Sequence, residues 1–237
     1  MAGHSKWAKI KRDKASNDSK RGAVFTKIGN QIAVAARGGT NPDTNPALAT
    51  VIATAKAANM PMSNIEKALK RAEDKSAAVV EEIMYEGYAK GGVGILIECA
   101  TDNRNRTFPE VKHALTKNGG TVADPGSVAF QFERKGQIVV KASGDEALMS
   151  ILEAGADDAS EEDGEIYVFT DTGALHDIRE KLVGAGLEVV SAELVYLPKN
   201  TVPVDTETEQ KIQKLLDAID DLNDVVNVHT NHEVQSA

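Results

Sequence analysis

Lysine and arginine crowd one end of this chain. Lys6, Lys9, Lys11, Arg12, Lys14, Lys20, Arg21 and Lys27 fall within its opening stretch, opposed there only by Asp13 and Asp18. Residues 1–75 carry 14 basic and 6 acidic side chains, and the remainder carries 13 and 30. The net charge of -9 therefore hides a segment of +8 joined to one of -17. Cations at this density neutralise phosphates and release their counterions, which binds a polyanion without reading its sequence. The competing reading is a solvated basic tail. His4 and Trp7 stand in the same cluster. Trp7 is the only tryptophan, and its indole either stacks on an unpaired base or packs back on the protein.

A second group is Asp102-Asn103-Arg104-Asn105-Arg106, set between an apolar strand and a helix start. Free N–H groups at a helix N-terminus, together with the guanidiniums of Arg104 and Arg106, suit a phosphate. The alternative is that both arginines pair with carboxylates across a domain interface.

Residues suited to catalysis or metal binding are few. Cys99 lies in the apolar run Ile95 to Ala100 and reads as core. His4, His113, His176, His229 and His232 lack metal-ligand spacing, and one cysteine allows neither a thiolate pair nor a disulfide. The carboxylates Asp157, Asp158, Glu161, Glu162 and Asp163 read as a solvated acidic loop rather than a cation site. Gly91-Gly92-Val93-Gly94 and Gly119-Gly120 match no phosphate or dinucleotide fingerprint and read as turns. The expectation is a non-enzyme with no metal, no cofactor and no small-molecule substrate. No run of about 18 apolar residues exists, and the N-terminus lacks a signal-peptide core, so the chain is expected in the cytoplasm, off the membrane.

The elements that must position these groups follow from periodicity. Residues 1–20 are polar and read as an arm. Phe25, Ile28, Ile32 and Ala35 mark a helix over 21–37, stopped by Gly38-Gly39. Asn45-Pro46 opens a second helix running to about Asn59. Ser63 and Glu66 form a capping box for a third. A boundary falls at Lys75 to Ala78. Strands at 83–88 and 92–100, a helix opened by a Thr107/Glu110 capping box, and a strand at 127–134 come next. Residues 137–197 then read strand, helix, strand, strand, helix, strand, the ferredoxin-like order. A strand at 201–204, a helix at 206–222 and a strand at 224–229 close the chain. The segment before 135 lacks one helix–strand unit and the segment after 200 supplies one. The predicted fold is therefore α+β: an N-terminal three-helix domain (1–78), a discontinuous α/β domain (79–135 plus 200–237), and a ferredoxin-like domain inserted in it (136–199). Three domains in simple series are the alternative.

Several motifs carry a family resemblance. Gly3-His4-Ser5-Lys6-Trp7, Ile10-Lys11, Lys20-Arg21, Asn59-Met60-Pro61, Tyr85-Glu86-Gly87-Tyr88, Thr101 through Thr107, and Gly126-Ser127-Val128 resemble, in order, the YebC/PmpR family. That family includes the mitochondrial translational activator of cytochrome c oxidase. Two turns depart from its pattern, at Ala89-Lys90 and Ala123-Asp124-Pro125. The resemblance implies a helical domain followed by two α/β domains. It also implies one of two activities: DNA-binding transcriptional regulation, or translation regulation on the ribosome that eases difficult stretches such as proline runs. Nucleic acid, as DNA or ribosomal RNA, is the expected partner, with the ribosome itself a second.

Overall fold

A computed structural model describes residues 21–74 and 76–235. The predicted arm over 1–20 lies outside the described residues, with His4, Lys6, Trp7, Lys9, Lys11, Arg12, Lys14 and Lys20.

Three helices come first: α1 (Arg21–Ala35), α2 (Pro46–Ala57) and α3 (Met62–Glu73). Asn45 organises the first corner. Its Oδ1 accepts from the Leu48 N–H at 3.2 Å, capping α2, while its Nδ2 donates to the carbonyls of Ala35 and Gly39 at 2.8 Å each. One buried side chain thus closes the end of α1 and the start of α2. The Ser63/Glu66 box does not form. Pro61, at φ -58 and ψ 139, occupies the cap position, so α3 starts before Ser63 can cap it. Ile28, Ile32, Leu48, Ala55, Met60 and Ile65 fill the core between the helices.

The chain then enters an antiparallel sheet ordered β3-β1-β2-β9, from β1 (Glu81–Tyr88), β2 (Gly94–Thr101), β3 (Thr121–Ala123) and β9 (Val225–Thr230). The helices α4 (Arg104–Lys117) and α7 (Thr206–Asp220) share one apolar core with this sheet, built on Ile95, Ile97, Leu115, Leu215 and Ile219. The ends of the chain segment thus meet in one sheet, because β9 pairs with β2 from Ile95↔Thr230 onward. Between them lies β4 (Phe132–Val140), α5 (Asp145–Glu153), β5 (Asp158–Glu162), β6 (Glu165–Thr170), α6 (Leu175–Gly184) and β7 (Val189–Pro198). Its sheet runs β5-β6-β4-β7, all antiparallel, the ferredoxin-like arrangement. The fold is therefore α+β, with one α/β domain inserted in the other. A short parallel ribbon, β8 (Val202–Val204) with β10 (His232–Val234), finishes it.

Two further local readings need correction. Residues 127–134 are not a separate strand. Ala129–Gln131 form a 3-10 turn, and β4 runs unbroken from Phe132 through the strand predicted at 137–141. The reason is a side chain from another strand. The buried Glu86 carboxylate on β1 takes the N–H groups of Gly126, Val128 and Ala129 at 2.5, 2.6 and 2.9 Å, so that backbone cannot join a ladder. The Thr107/Glu110 box is also absent. Helix α4 opens a turn earlier with Asn103 as cap, its Oδ1 accepting from the Arg106 N–H at 3.2 Å.

The two departing turns remain regular. The Ala89 N–H bonds the Val93 carbonyl at 2.8 Å around Gly91 and Gly92, both at positive φ, and Gly126 sits at φ 86.

Candidate nucleic-acid interface and the junction behind it

Of the basic residues singled out in the sequence, four are described. Arg21 is exposed at the start of α1, its guanidinium carbon 6.0 Å from the centre of the Phe25 ring. Lys27 points inward. Its Nζ meets Asp220 Oδ1 at 3.0 Å and also donates to the Asp220 carbonyl, and both side chains are less than one-fifth exposed. Lys27 therefore fastens the helical domain to the end of α7 and does not present its charge to a ligand.

Arg104 and Arg106 lie at the start of α4, each against carboxylates. Arg104 pairs with Glu81 at 2.7 Å. Arg106 Nη2 reaches Asp224 Oδ2 at 2.7 Å and Asp102 Oδ1 at 3.2 Å. The hydrogen bond that Arg106 donates to Asp224, followed by the charges of Asp224 and Asp102, holds the Arg106 guanidinium above its ordinary pKa, against the opposing effect of desolvation. Asp224 is buried, and its Oδ2 also accepts from the hydroxyls of Thr101 at 3.0 Å and Thr107 at 2.7 Å. From the helical domain, Arg71 Nη2 completes the network at 2.7 Å from Asp102 Oδ2. The Asp102–Thr107 motif thus joins α3, β2, α4 and the start of β9. Three arginines face three carboxylates, which leaves the cluster little net attraction for phosphate. Exposed pairs of this kind contribute about 0–1 kcal/mol each, whereas removing a partner from the buried Asp224 end costs more.

No local pattern marks Asp224 or Arg71 as part of this network, because their partners lie far away in the chain. Glu86 did leave a local signal. It shares a strand face with Met84 and Tyr88, and a carboxylate at an inward position demands donors.

Further contacts seat the helical domain. Asn30 Nδ2 donates to the Ala100 carbonyl at 3.1 Å, and the Thr54 hydroxyl to the Ala192 carbonyl at 3.2 Å, so it touches both α/β domains. Where all three meet there is a cavity of about 640 Å³ lined by Gln31, Thr54, Glu82, Glu98, Arg134 and Glu193, among others. Its carboxylates disfavour a polyanion. Glu98 is held there by Asn227 Nδ2 and His229 Nε2, each at 3.1 Å. Burial pushes its pKa up, but these hydrogen bonds and the nearby charges outweigh burial and leave it below the ordinary value. Burial, helped by the charges of Asp224 and Glu98, pushes the Cys99 thiol up to about 12. A thiol so placed holds almost no thiolate at neutral pH, which fits a core residue. Among the described residues no group of three or more His, Cys, Asp or Glu could hold a metal ion, and no helix is long and apolar enough to cross a membrane.

The architecture is that of a small helical domain fastened by polar contacts to a two-part α/β body, and the sequence places the excess of basic residues toward the N-terminus. Residues 5–75 match the family described as the TACO1/YebC protein N-terminal domain, and residues 80–232 match its second and third domain. The chain belongs to this family. It is 47% identical to a protein of Corynebacterium urealyticum over 99% of this chain and 96% of that one, and 49% identical to one of Francisella tularensis over 98% and 95%. Each is named a probable transcriptional regulatory protein. The crystal structure of a conserved hypothetical protein from Aquifex aeolicus, 41% identical, superposes with a TM-score of 0.88 over 93% of both chains.

Proposed function

We propose that this chain is a non-enzymatic, nucleic-acid-binding regulator of gene expression acting in the cytoplasm, and that it grips its target with the basic segment at its N-terminus. The division of the chain at 1–78, 79–135 plus 200–237, and 136–199 goes with this reading. The observation that carries it is the segregation of charge, +8 in residues 1–75 against -17 beyond. Attraction is concentrated at one end, so the N-terminal segment makes the main contact with a phosphate surface. The names of the relatives support regulation of transcription, and the target that this reading implies is duplex DNA.

A second target, ribosomal RNA within a translation factor, is favoured by the state of α3. A helix that reads bases presents several free side chains on one face. Here Lys67 and Lys70 are exposed beside Glu66 and Glu73, and Arg71 is tied to Asp102. That composition suits backbone contact more than base reading.

The test is cosedimentation with ribosomes beside binding to duplex DNA in one buffer, for the wild type and the combined variant Lys6→Glu, Lys11→Glu, Lys14→Glu. The variant is expected to bind more weakly, with the slope of log affinity against log salt shallower by about three units on duplex. Unchanged affinity and slope would make the segment a solvated tail.

A further inference from the structure

Phe130 is the most exposed large apolar side chain among the described residues, at 67%. Its neighbours two positions away on either side, Val128 and Phe132, are buried at 0% and 4%. The 3-10 turn between them leaves the Phe130 ring outside.

That turn is held from every side. Glu86 takes the Gly126, Val128 and Ala129 N–H groups. The Tyr88 hydroxyl donates to the Ser127 carbonyl at 2.9 Å. Gln131 Oε1 accepts from Asn231 Nδ2 at 2.8 Å, and Asn231 Oδ1 accepts from the Gly94 N–H at 2.8 Å. Gly94 is required there, since a Cβ at that position would stand 2.8 Å from Val128 Cγ1. Burying a carboxylate is costly unless its hydrogen bonds are satisfied. The fold meets that cost to fix a short segment whose outward group is one aromatic ring.

A cation is fixed beside it. Lys199 is tethered through its backbone N–H to the Gln131 carbonyl at 2.8 Å, and its Nζ donates to the Phe130 carbonyl at 3.0 Å. Among the described residues no carboxylate lies within ion-pair distance of Lys199.

We propose that Phe130 and Lys199 form a second nucleic-acid contact, which takes one unpaired nucleotide: the base stacks on the Phe130 ring and the phosphate meets the Lys199 ammonium. A rigid aromatic face with an adjacent unpaired cation matches both halves of a nucleotide. An apolar protein pocket would instead call for a contiguous apolar patch, and here the residues hydrogen-bonded to the turn are Glu86, Tyr88, Asn231 and Lys199. The contact rests on the nucleic-acid reading above and makes it specific for single-stranded or looped segments.

The test is binding of the full chain to a labelled single-stranded oligoadenylate of 12 nucleotides, with a blunt RNA duplex of equal length beside it. Phe130→Ala is expected to weaken single-strand binding roughly 5- to 100-fold, the range of one lost base stack, with the salt slope unchanged. Duplex binding should stay within twofold. Phe130→Trp should restore the affinity and Phe130→Leu should not, which separates stacking from apolar contact. Lys199→Gln should flatten the salt slope by about 0.7 units. Thermal melts check that each variant is folded. Wild-type affinity in Phe130→Ala, or full rescue by leucine, overturns the proposal while leaving the N-terminal segment's role standing. Failure of the wild type to bind the single strand overturns this proposal alone, and the nucleic-acid reading falls with it only if the wild type also fails to bind duplex DNA and ribosomes.

Discussion

Glu86→Gln isolates the device that holds the 126–131 turn. The carboxylate accepts from Gly126 through Oε1 and from Val128 and Ala129 through Oε2. A hydrogen bond to a charged group contributes about 1.5–3 kcal/mol, a neutral one about 1 kcal/mol. The glutamine carbonyl can keep the Val128 and Ala129 bonds in neutral form, losing roughly 1–3 kcal/mol. Its amide group then faces the Gly126 N–H, donor against donor. Gly126 is exposed, so water recovers part of that loss, which adds about 1 kcal/mol. The expected destabilisation is about 2–4 kcal/mol, read as a lower urea midpoint followed by circular dichroism. Single-strand affinity should fall with it, because Phe130 loses its fixed position. A midpoint shift worth less than about 0.5 kcal/mol, with an unchanged denaturant slope, would refute the claim that this carboxylate holds the turn.

Asp224→Ala removes the acceptor shared by Arg106, Thr101 and Thr107, and should cost about 3 kcal/mol in a urea melt; Asp224→Asn, which keeps an oxygen there, should cost about 1. Cys99→Val should leave nucleic-acid binding unchanged and move stability by less than about 1.5 kcal/mol, as a swap of similar volume in the core; a stable variant that no longer binds would contradict the placement of Cys99 as core. Glu98 has a folded pKa below its ordinary 4.5, so its ionised form stabilises the fold above that pH and the contribution disappears as pH falls through the folded value. Urea midpoints of wild type and Glu98→Gln should therefore converge below about pH 4.5, and a gap that persists into acid would rule this out.

The sequence by itself determined most of the elements, because local patterns encode them. Helical spacing of Ile28 and Ile32, the Asn45-Pro46 start, and the strand-helix order after residue 136 each act over a few residues. The insertion was also legible, since a segment lacking a helix–strand unit and a later segment supplying one can be counted. Two of the misreadings share a cause. The alternation over 127–134 resembled a strand, yet its N–H groups were already taken by Glu86 on β1. Thr107 had capping-box spacing, yet its hydroxyl is bound to Asp224.

The candidate site divides the same way. Charge is additive, so the excess of cations toward the N-terminus is visible in composition alone. Which cations stay available is a tertiary matter. Lys27 is fastened to Asp220, Arg71 to Asp102, and Arg106 to Asp224. Each partner is separated from it by a stretch of chain that no local pattern spans, except for the Asp102–Arg106 pair on one helical turn. The exposure of Phe130 was likewise decided by folding. Its own neighbours mark it only as one apolar residue in an alternating run, and the fixed turn that turns it outward is set by side chains from β1 and the end of β9, with the backbone of Gly94 at the start of β2.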